Sequence, residues 1–587
     1  MRRLIASLLL MISPALSVAE VSALSEVSTL ARSGATELAL GLMDRHQPAL
    51  QEDPVAWMQW ERERLFLYRS RAQWQALADR AAEHPRGLHP EFMRWAQGER
   101  ARALLALGRD EEARTVLREQ IWFSDPGERL PRWRQMIVES HLEGGDSEAA
   151  RSALRRLRQD HGDDDGETRV MEARLYLQQG QGREALAVLE ALPEDEHRPL
   201  RLAARLAADS AQAGDVLSDA IRFGFDDQTP ALDRRLTWSV AAQAAEKTGN
   251  RSARIGALER GLGLYDEGGR VDPVFSLAPE QLWAAYQDFG ERLGNEAQIL
   301  VGDDPMWFEL AESYADSEPV KTRALLSVIA FNSFETKQRE RAHGELAATL
   351  VNRREGPAII RQLYLESGHF QALDSIPQTV RYLLADLVME EADIPLASRL
   401  MRGLDKAPDG VEELDWGLRR ARVLLLGGAR EEGLSALDAL FDKDVEDFPV
   451  ERVLQVLFDL QNMGDHEPAL AYLKRLLEKD LEDRQHREIL FWMAESAEGM
   501  GDRLEAARLY LRSAGFHDPF SMDQWAQTAR YRAADALADA GLTEDARRLY
   551  QSLLNATEDE ARRSVLRNRI QRLRLQPASP PGPEIDP

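Results

Sequence analysis

One phrase recurs along this 587-residue chain at a near-constant interval. A helix-forming run ends in Gly, a polar or acidic residue follows, and Glu and Ala open the next helix. It reads Gly108-Arg109-Asp110-Glu111-Glu112-Ala113, then Gly145-Asp146-Ser147-Glu148-Ala149-Ala150, and later Gly501-Asp502-Arg503-Leu504-Glu505-Ala506. Aligned on that Gly, seven marks stand at Gly34, Arg71, Gly108, Gly145, Gly180, Gly214 and Gly249. Five more stand at Ala392, Gly428, Gly464, Gly501 and Gly541. Within each series, neighbouring marks lie 34 to 40 residues apart. An internal period of this length marks a stacked repeat array.

Two further positions keep the same register. Five residues after the mark the side chain is small: Ala39, Ala76, Ala113, Ala150, Ala185, Ala397, Gly433, Ala469, Ala506 and Ala546, with Asp219 and Arg254 as exceptions. Nine residues after it the side chain is large and apolar: Met43, Leu117, Leu154, Leu189, Phe223, Leu258, Met401, Leu437, Leu473, Tyr510 and Tyr550, with Arg80 as the exception. The physics of two antiparallel helices joined by a tight turn explains the choice. The first helix ends on a residue at positive φ, which Gly adopts without a Cβ penalty. An acidic or hydroxyl residue then caps the second helix. The small residue lets the helices cross closely, and the large one fills the space beside it. Such a pair cannot bury its apolar face alone and must stack on the next. The pattern predicts an all-α fold, an α-α superhelix (solenoid) of helical hairpins.

In these residues the chain resembles the tetratricopeptide repeat family. That family closes its first helix on a Gly or turn residue, then places a small residue early in the second helix and a large one a turn later. Trp60 falls where the family often has Trp, and Pro85, Pro193 and Pro519 fall near its closing Pro. Most periods here are longer than the family's, and an early family Gly is usually Ala or another residue. The match covers roughly residues 20–265 and 375–560. The resemblance implies tetratricopeptide-like helical hairpins and a scaffold that binds proteins or peptides. Residues 266–375 break the register, as eroded repeats, an inserted helical unit or a hinge. Within them Glu280–Leu293, Trp307–Tyr314 and Ala324–Phe331 read as helical, and Asp266–Pro273 and Gly302–Pro305 as loops. Residues 561–576 read as a capping helix. The tail 577–587 carries five Pro and reads as disordered.

The N-terminus reads as an address. Arg2 and Arg3 precede an apolar run from Leu4 to Leu16, and Ser17-Val18-Ala19 offers a cleavage site before Glu20. The run is too short to span a bilayer, and no integral membrane segment is expected elsewhere. No Cys follows, or occurs anywhere, so a lipid anchor, disulfides, thiolate metal sites and Cys nucleophiles are excluded. The expected location is the periplasm of a Gram-negative bacterium. The formal net charge of −26 argues against nucleic acid and favours partners with basic patches.

Catalytic motifs are absent: the sequence holds no His-Glu-x-x-His, no Gly-x-Ser-x-Gly and no phosphate-binding loop. His161–Glu172 comes nearest to a calcium loop, with Asp163, Asp165 and Glu172 at ligand places, but His161 replaces the first carboxylate and Arg169 adds a cation. No metal and no cofactor is expected. Six of twelve Trp fall between Trp57 and Trp133. Of these Trp57, Trp60, Trp74 and Trp95 are candidates for gripping a peptide or glycan, or for packing between helices. Arg562, Arg563 and Arg567 open a cationic terminal helix, either a docking patch or a solvated cap. Soluble lytic transglycosylases are similar in being exported and largely superhelical, yet here the repeats run to about residue 560 and leave no room for their catalytic domain. The expected function is a periplasmic scaffold or adaptor in cell-envelope assembly or transport, not an enzyme. The alternative is a protein that binds peptidoglycan or polysaccharide.

Overall fold

The computed structural model describes residues 36–85, 87–123, 129–162, 166–194, 196–264, 272–299, 302–443 and 448–575, with Leu24, Val27, Thr29 and Leu30. The leader 1–19, the tail 577–587, Gly34, Asp163 and Asp165 lie outside them. Among the described residues the regular structure is helical throughout. No helix there is long and apolar enough to cross a membrane. The chain divides between His369 and Phe370 into two compact units.

Among the described residues of the first unit six helical pairs follow one another. They are Pro54–Ser70 with Trp74–Ala82, Pro90–Ala106 with Asp110–Phe123, Arg129–Glu143 with Ser147–His161, Gly166–Gln178 with Gly182–Leu189, Arg198–Ala208 with Ala213–Gly224, and Ala231–Thr248 with Arg251–Gly263. Among the described residues of the second unit there are five: Gln378–Glu390 with Ile394–Met401, Glu413–Leu426 with Arg430–Phe441, Val450–Asn462 with His466–Leu476, Asp483–Gly499 with Arg503–Ala514, and Gln524–Asp539 with Thr543–Ala556. The helix Glu560–Leu575 packs on the last of these and buries Leu566 and Ile570. Within each unit the array is the solenoid of tetratricopeptide-like hairpins that the sequence predicts.

The turns repeat one geometry. Gly108 sits at φ 74°, its N–H donates to Leu105 O at 3.0 Å, and Arg109 N–H donates to Leu104 O at 2.8 Å. Gly501 and Asp502 do the same with Glu498 O and Ala497 O, both at 2.9 Å. This paired bonding satisfies the orphan carbonyls of a helix end and requires the left-handed conformation. The capping acid is optional: Asp146, Asp393 and Asp502 cap their helices, whereas Gln181 and Leu542 make no side-chain cap.

Two marks need correction. Arg71 has φ −103°, and the left-handed residue is its neighbour Ala72, at φ 53°. The shift makes Leu77 the fifth residue and Ala81 the ninth, both fully buried, so large and small exchange places and the volume is conserved. Ala76 is exposed, and Arg80 is no longer an exception to the apolar position. Gly214 is not a turn residue but lies in the first turn of the helix Ala213–Gly224. There the reversal runs through a 3-10 turn, Ser210–Gln212, capped by the Asp209 carboxylate on Ala211 N–H at 2.9 Å.

Ion pairs link the pairs of the second unit at one-repeat spacing. Arg422 Nε reaches Asp459 at 2.6 Å, Arg430 Nε reaches Asp465 at 3.0 Å, Arg475 reaches Asp438 at 2.7 Å, and Arg487 reaches Asp523 at 2.9 Å. Each is partly exposed and contributes about 0–1 kcal/mol. Their shared spacing fixes the register of neighbour on neighbour.

Between residues 272 and 369 the main helices are Pro279–Glu296, Asp304–Tyr314, Pro319–Asn332 and Thr336–Val351. The three helical runs read from the sequence fall inside the first three. The short helix Gly356–Arg361 folds back onto Arg251–Gly263. Glu259, fully buried, is the hub of this return. It accepts hydrogen bonds from Tyr286 Oη at 2.7 Å, from Arg323 Nε and Nη2 at 2.8 and 2.9 Å, and from Arg353. Burial pushes its carboxyl up, but the two guanidinium charges and these donors outweigh burial and hold it below the usual range.

Backbone strain separates two positions that make the same paired turn, Ala392 and Gly501. Ala392 holds φ 63° without the freedom of Gly. Ala392→Gly is expected to raise stability by about 0.5–1 kcal/mol, and Gly501→Ala to lower it by about 1 kcal/mol. Urea denaturation of the two variants checks both signs. Ala506, fully buried at a helix crossing, is expected to cost about 1–3 kcal/mol when enlarged to Leu.

Candidate functional site

The first helices of successive pairs touch along one face: Gly166–Gln178 meets Arg198–Ala208, which meets Ala231–Thr248. On this inner face the helical spacing of four places Arg174 above Gln178, and Ser239 above Gln243. The face is occupied by the chain itself. Residues Asp272–Leu277 cross it with a single 3-10 turn at Pro273–Phe275.

Asp272 is 6% exposed. Its Oδ2 accepts from Arg174 Nε at 2.6 Å and its Oδ1 from Gln178 Nε2 at 3.0 Å. The same Oδ1 accepts Val274 N–H at 2.9 Å, which shapes the turn locally. Farther along, Gln243 Nε2 donates to Val274 O at 2.8 Å. Phe275 is buried, and Leu277 lies against Gly261, where a Cβ would stand 2.4 Å from its Cδ1. Beside the segment a cavity of about 480 Å³ stays open, lined by Gln178, Ala207, Ser239, Gln243 and Lys247 among others. Lys247 Nζ holds Leu206 O at 3.1 Å, stitching the end of one helix to the next pair. Sequence reasoning missed Arg174, Gln178, Gln243 and Asp272. The only available signal was Asp272-Pro273 itself, an acid–proline step inside a stretch read as a plain loop.

The four tryptophans do not form one surface. Trp60 is 2% exposed, packed with Ala39, Met43 and Leu67, and so offers nothing to a partner. Its large apolar ring belongs to that buried cluster. Trp57 sets its edge against His84 and Phe92, with centroids 5.6 and 6.2 Å apart. Trp95 tilts on Phe92 at 6.0 Å beneath the Arg62 guanidinium. Trp74 lines a groove, about 750 Å³, with Asp44, Arg64, Tyr68, Gln73 and Arg80. Trp122, outside the candidate set, is 83% exposed.

Beneath that groove lies Glu61, whose side chain is fully buried. It accepts from Gln47 Nε2 at 2.8 Å and from Arg80 Nε and Nη2 at 2.9 and 2.6 Å, and it lies 3.0 Å from His84 Nε2. Burial pushes the carboxyl up, but the hydrogen bonds of His84, Arg80 and Gln47 with the Arg80 charge outweigh it and hold the pKa at about 2.

The other candidates are engaged locally. Glu172 is paired with Arg158, one Nη at 2.9 Å, while Asp163 and Asp165 lie outside the described residues. Arg567 meets Glu560 at 2.9 Å, Arg563 meets Glu560 at 3.5 Å, and Arg562 meets Asp559 at 3.8 Å. Arg562 also borders an apolar groove of about 390 Å³ with Tyr531, Val565 and Leu566.

Glu61 makes the first pairs acid-sensitive. Its folded pKa is depressed, so its contribution is fully present above the unfolded value near 4.5 and is lost as pH falls from there toward about 2. That shift corresponds to about 3 kcal/mol. Melting temperatures of the parent and Glu61→Gln, followed from pH 6 to pH 2.5, are expected to converge as pH falls.

Comparison with known proteins adds the following. No curated protein matches the chain in sequence. Among solved structures the chain is similar to yeast Tom70, at 14% identity, covering 83% of this chain and 96% of that one, with a TM-score of 0.21. It is similar to the maize pentatricopeptide repeat protein PPR10 at 13% identity, covering 94% and 90%, with a TM-score of 0.28. It is also similar to the Naa15/Naa10 structure bound to HypK-THB at 12% identity, covering 95% and 96%, with a TM-score of 0.22. The tetratricopeptide repeat family matches residues 131–209. The stretch that carries Arg174 and Gln178, and with them the hold on Asp272, is thus the stretch that matches the tetratricopeptide repeat.

Proposed function

We propose that the chain is a tetratricopeptide-type scaffold whose inner face, across residues 166–248, binds an extended segment of a partner protein. One observation carries this reading: the face already holds a segment of the chain, folded about a single 3-10 turn, through side-chain donors that reach a carboxylate and a main-chain carbonyl. Reading main-chain groups is how a groove accepts extended peptides of varied sequence. The open volume beside Asp272–Leu277 leaves room for contacts that this segment does not use.

We further propose export to the periplasm of a Gram-negative bacterium, with the mature chain starting at Glu20, and a role in envelope assembly or transport. The support is the sequence of residues 1–19. N-terminal sequencing of the protein from a periplasmic fraction tests it; an intact Met1 would exclude cleavage.

The groove itself is tested at Ala207, which is exposed and lines the cavity. A photo-crosslinking residue at 207 is expected to trap a reproducible partner segment in cells, identifiable by mass spectrometry. Ala207→Trp, which fills the entrance, is expected to abolish co-purification of that partner without shifting the melting temperature. Undiminished co-purification would move the binding surface elsewhere.

A further inference from the structure

We propose that Asp272–Leu277 is an internal ligand, which holds the inner face closed until a partner segment of the same chemistry displaces it. That chemistry is an acidic side chain followed, three residues on, by a buried aromatic or large apolar one. The inference rests on the inner face being the partner groove, and it adds the ligand class and its regulation.

The contacts are of the kind a groove makes with a guest. Arg174 and Gln178 lie 98 and 94 residues from Asp272 in sequence, and Gln243, two pairs further along the array, lies 31 residues from Val274. One short segment therefore bridges separate pairs, as a bound peptide does. Specificity sits in Asp272 and Phe275, while the Val274 carbonyl is read without regard to side chain. The Asx turn from Asp272 to Val274 N–H orders the segment by its own local bonds, so docking needs little from the rest of the chain.

The site is also incompletely satisfied. Gln178 Nε2 donates to two acceptors, Asp272 Oδ1 and Leu142 O at 2.7 Å, which fixes the orientation of its amide. Its Oε1 is left buried with no hydrogen-bond partner among the described residues, beside the open cavity. A buried acceptor without a donor is unfavourable. A guest that brings a backbone N–H to this point supplies what the internal segment lacks. Against that gain stands the high effective concentration of a tethered competitor, which raises the apparent Kd of any guest.

The probe is a fluorescein-labelled, N-acetylated peptide of residues 272–279, titrated against the full chain by anisotropy. Two substitutions loosen the internal segment from opposite ends: Asp272→Ala removes the charge that Arg174 holds, and Leu277→Ala removes the contact at Gly261. Both are expected to bind the peptide at least tenfold more tightly than the parent. Adding Arg174→Ala to Leu277→Ala is expected to erase the gain. If both loosened chains melt like the parent and bind no more tightly, the segment is a fixed strap and the proposal falls. It falls equally if both fail to fold, or if the gain survives Arg174→Ala. Should Asp272→Ala alone fail to fold, Leu277→Ala decides. A negative result here with a crosslinked partner at residue 207 overturns only the internal ligand; loss of neither partner nor peptide sensitivity to Ala207→Trp overturns the groove.

Discussion

Most pairs of this fold depend on one short reversal: a left-handed residue that ends one helix and, at most of these turns, a side chain five residues later small enough for the two helices to cross. The turn satisfies the last carbonyls of the first helix, and the small residue sets the crossing distance. With both fixed, the ninth residue has one place to go, the gap between the pair and its neighbour. Leu117, Leu437 and Tyr510 all arrive there fully buried. The constraint is conformational before it is chemical. Ala72 and Ala392 serve as well as Gly geometrically, at φ 53° and 63°, and bear the strain of a Cβ.

That distinction explains which parts of the fold were legible. A period made of Gly, Ala and Leu shows in the sequence wherever the turn uses Gly. It blurs where another residue takes the left-handed conformation, as at Ala72, where the visible period pointed to Arg71. It misleads where Gly serves another purpose, as at Gly214 inside a helix. In the middle segment, Gln298 at φ 58° makes the same paired bonds, with Gln298 N–H on Asn295 O and Ile299 N–H on Gly294 O, at 3.1 and 2.9 Å. Nothing about a glutamine announces such a turn. The helices Pro279–Glu296 and Pro319–Asn332 were legible as helices from their apolar runs, but not their close crossing, where Gly290 lies against Ala324 and Val328, nor the link from Arg323 to Glu259, 64 residues away.

The candidate site was less legible than the fold for a related reason. Aromatic clustering is a composition signal, and a helical array buries most of its aromatics. Trp60 went to the core, and Trp57 and Trp95 went to a ring cluster around Phe92. Trp74 lines a groove. The residues that hold the Asp272 segment are an arginine, two glutamines and an aspartate, ordinary types in an acidic helical protein. Their meaning comes from the return of the chain past Gly263, and Glu259 governs that return. Its carboxylate, with Tyr286, Arg323 and Arg353 around it, seats the helix that begins at Pro279 and thereby delivers residues 272–277 to the inner face. Breaking a buried charged network of this kind leaves an uncompensated charge and costs about 3–5 kcal/mol.

The charge of the chain also reads differently once its arginines are placed. A net of −26 suggests attraction to basic partners. Yet many arginines are spent on neighbours, as in the pairs from Arg422 to Asp459 and from Arg487 to Asp523. On the inner face Arg174 holds an acid. Long-range repulsion of an acidic guest acts over about 8–10 Å and is screened at physiological salt. A 2.6 Å ion pair with a carboxylate 6% exposed is screened far less. The field of the whole protein therefore sets how often an acidic segment arrives, while Arg174 and Gln178 set whether it stays. A tethered segment escapes the first limit entirely, which is why an acidic chain can keep an acidic ligand in its own groove.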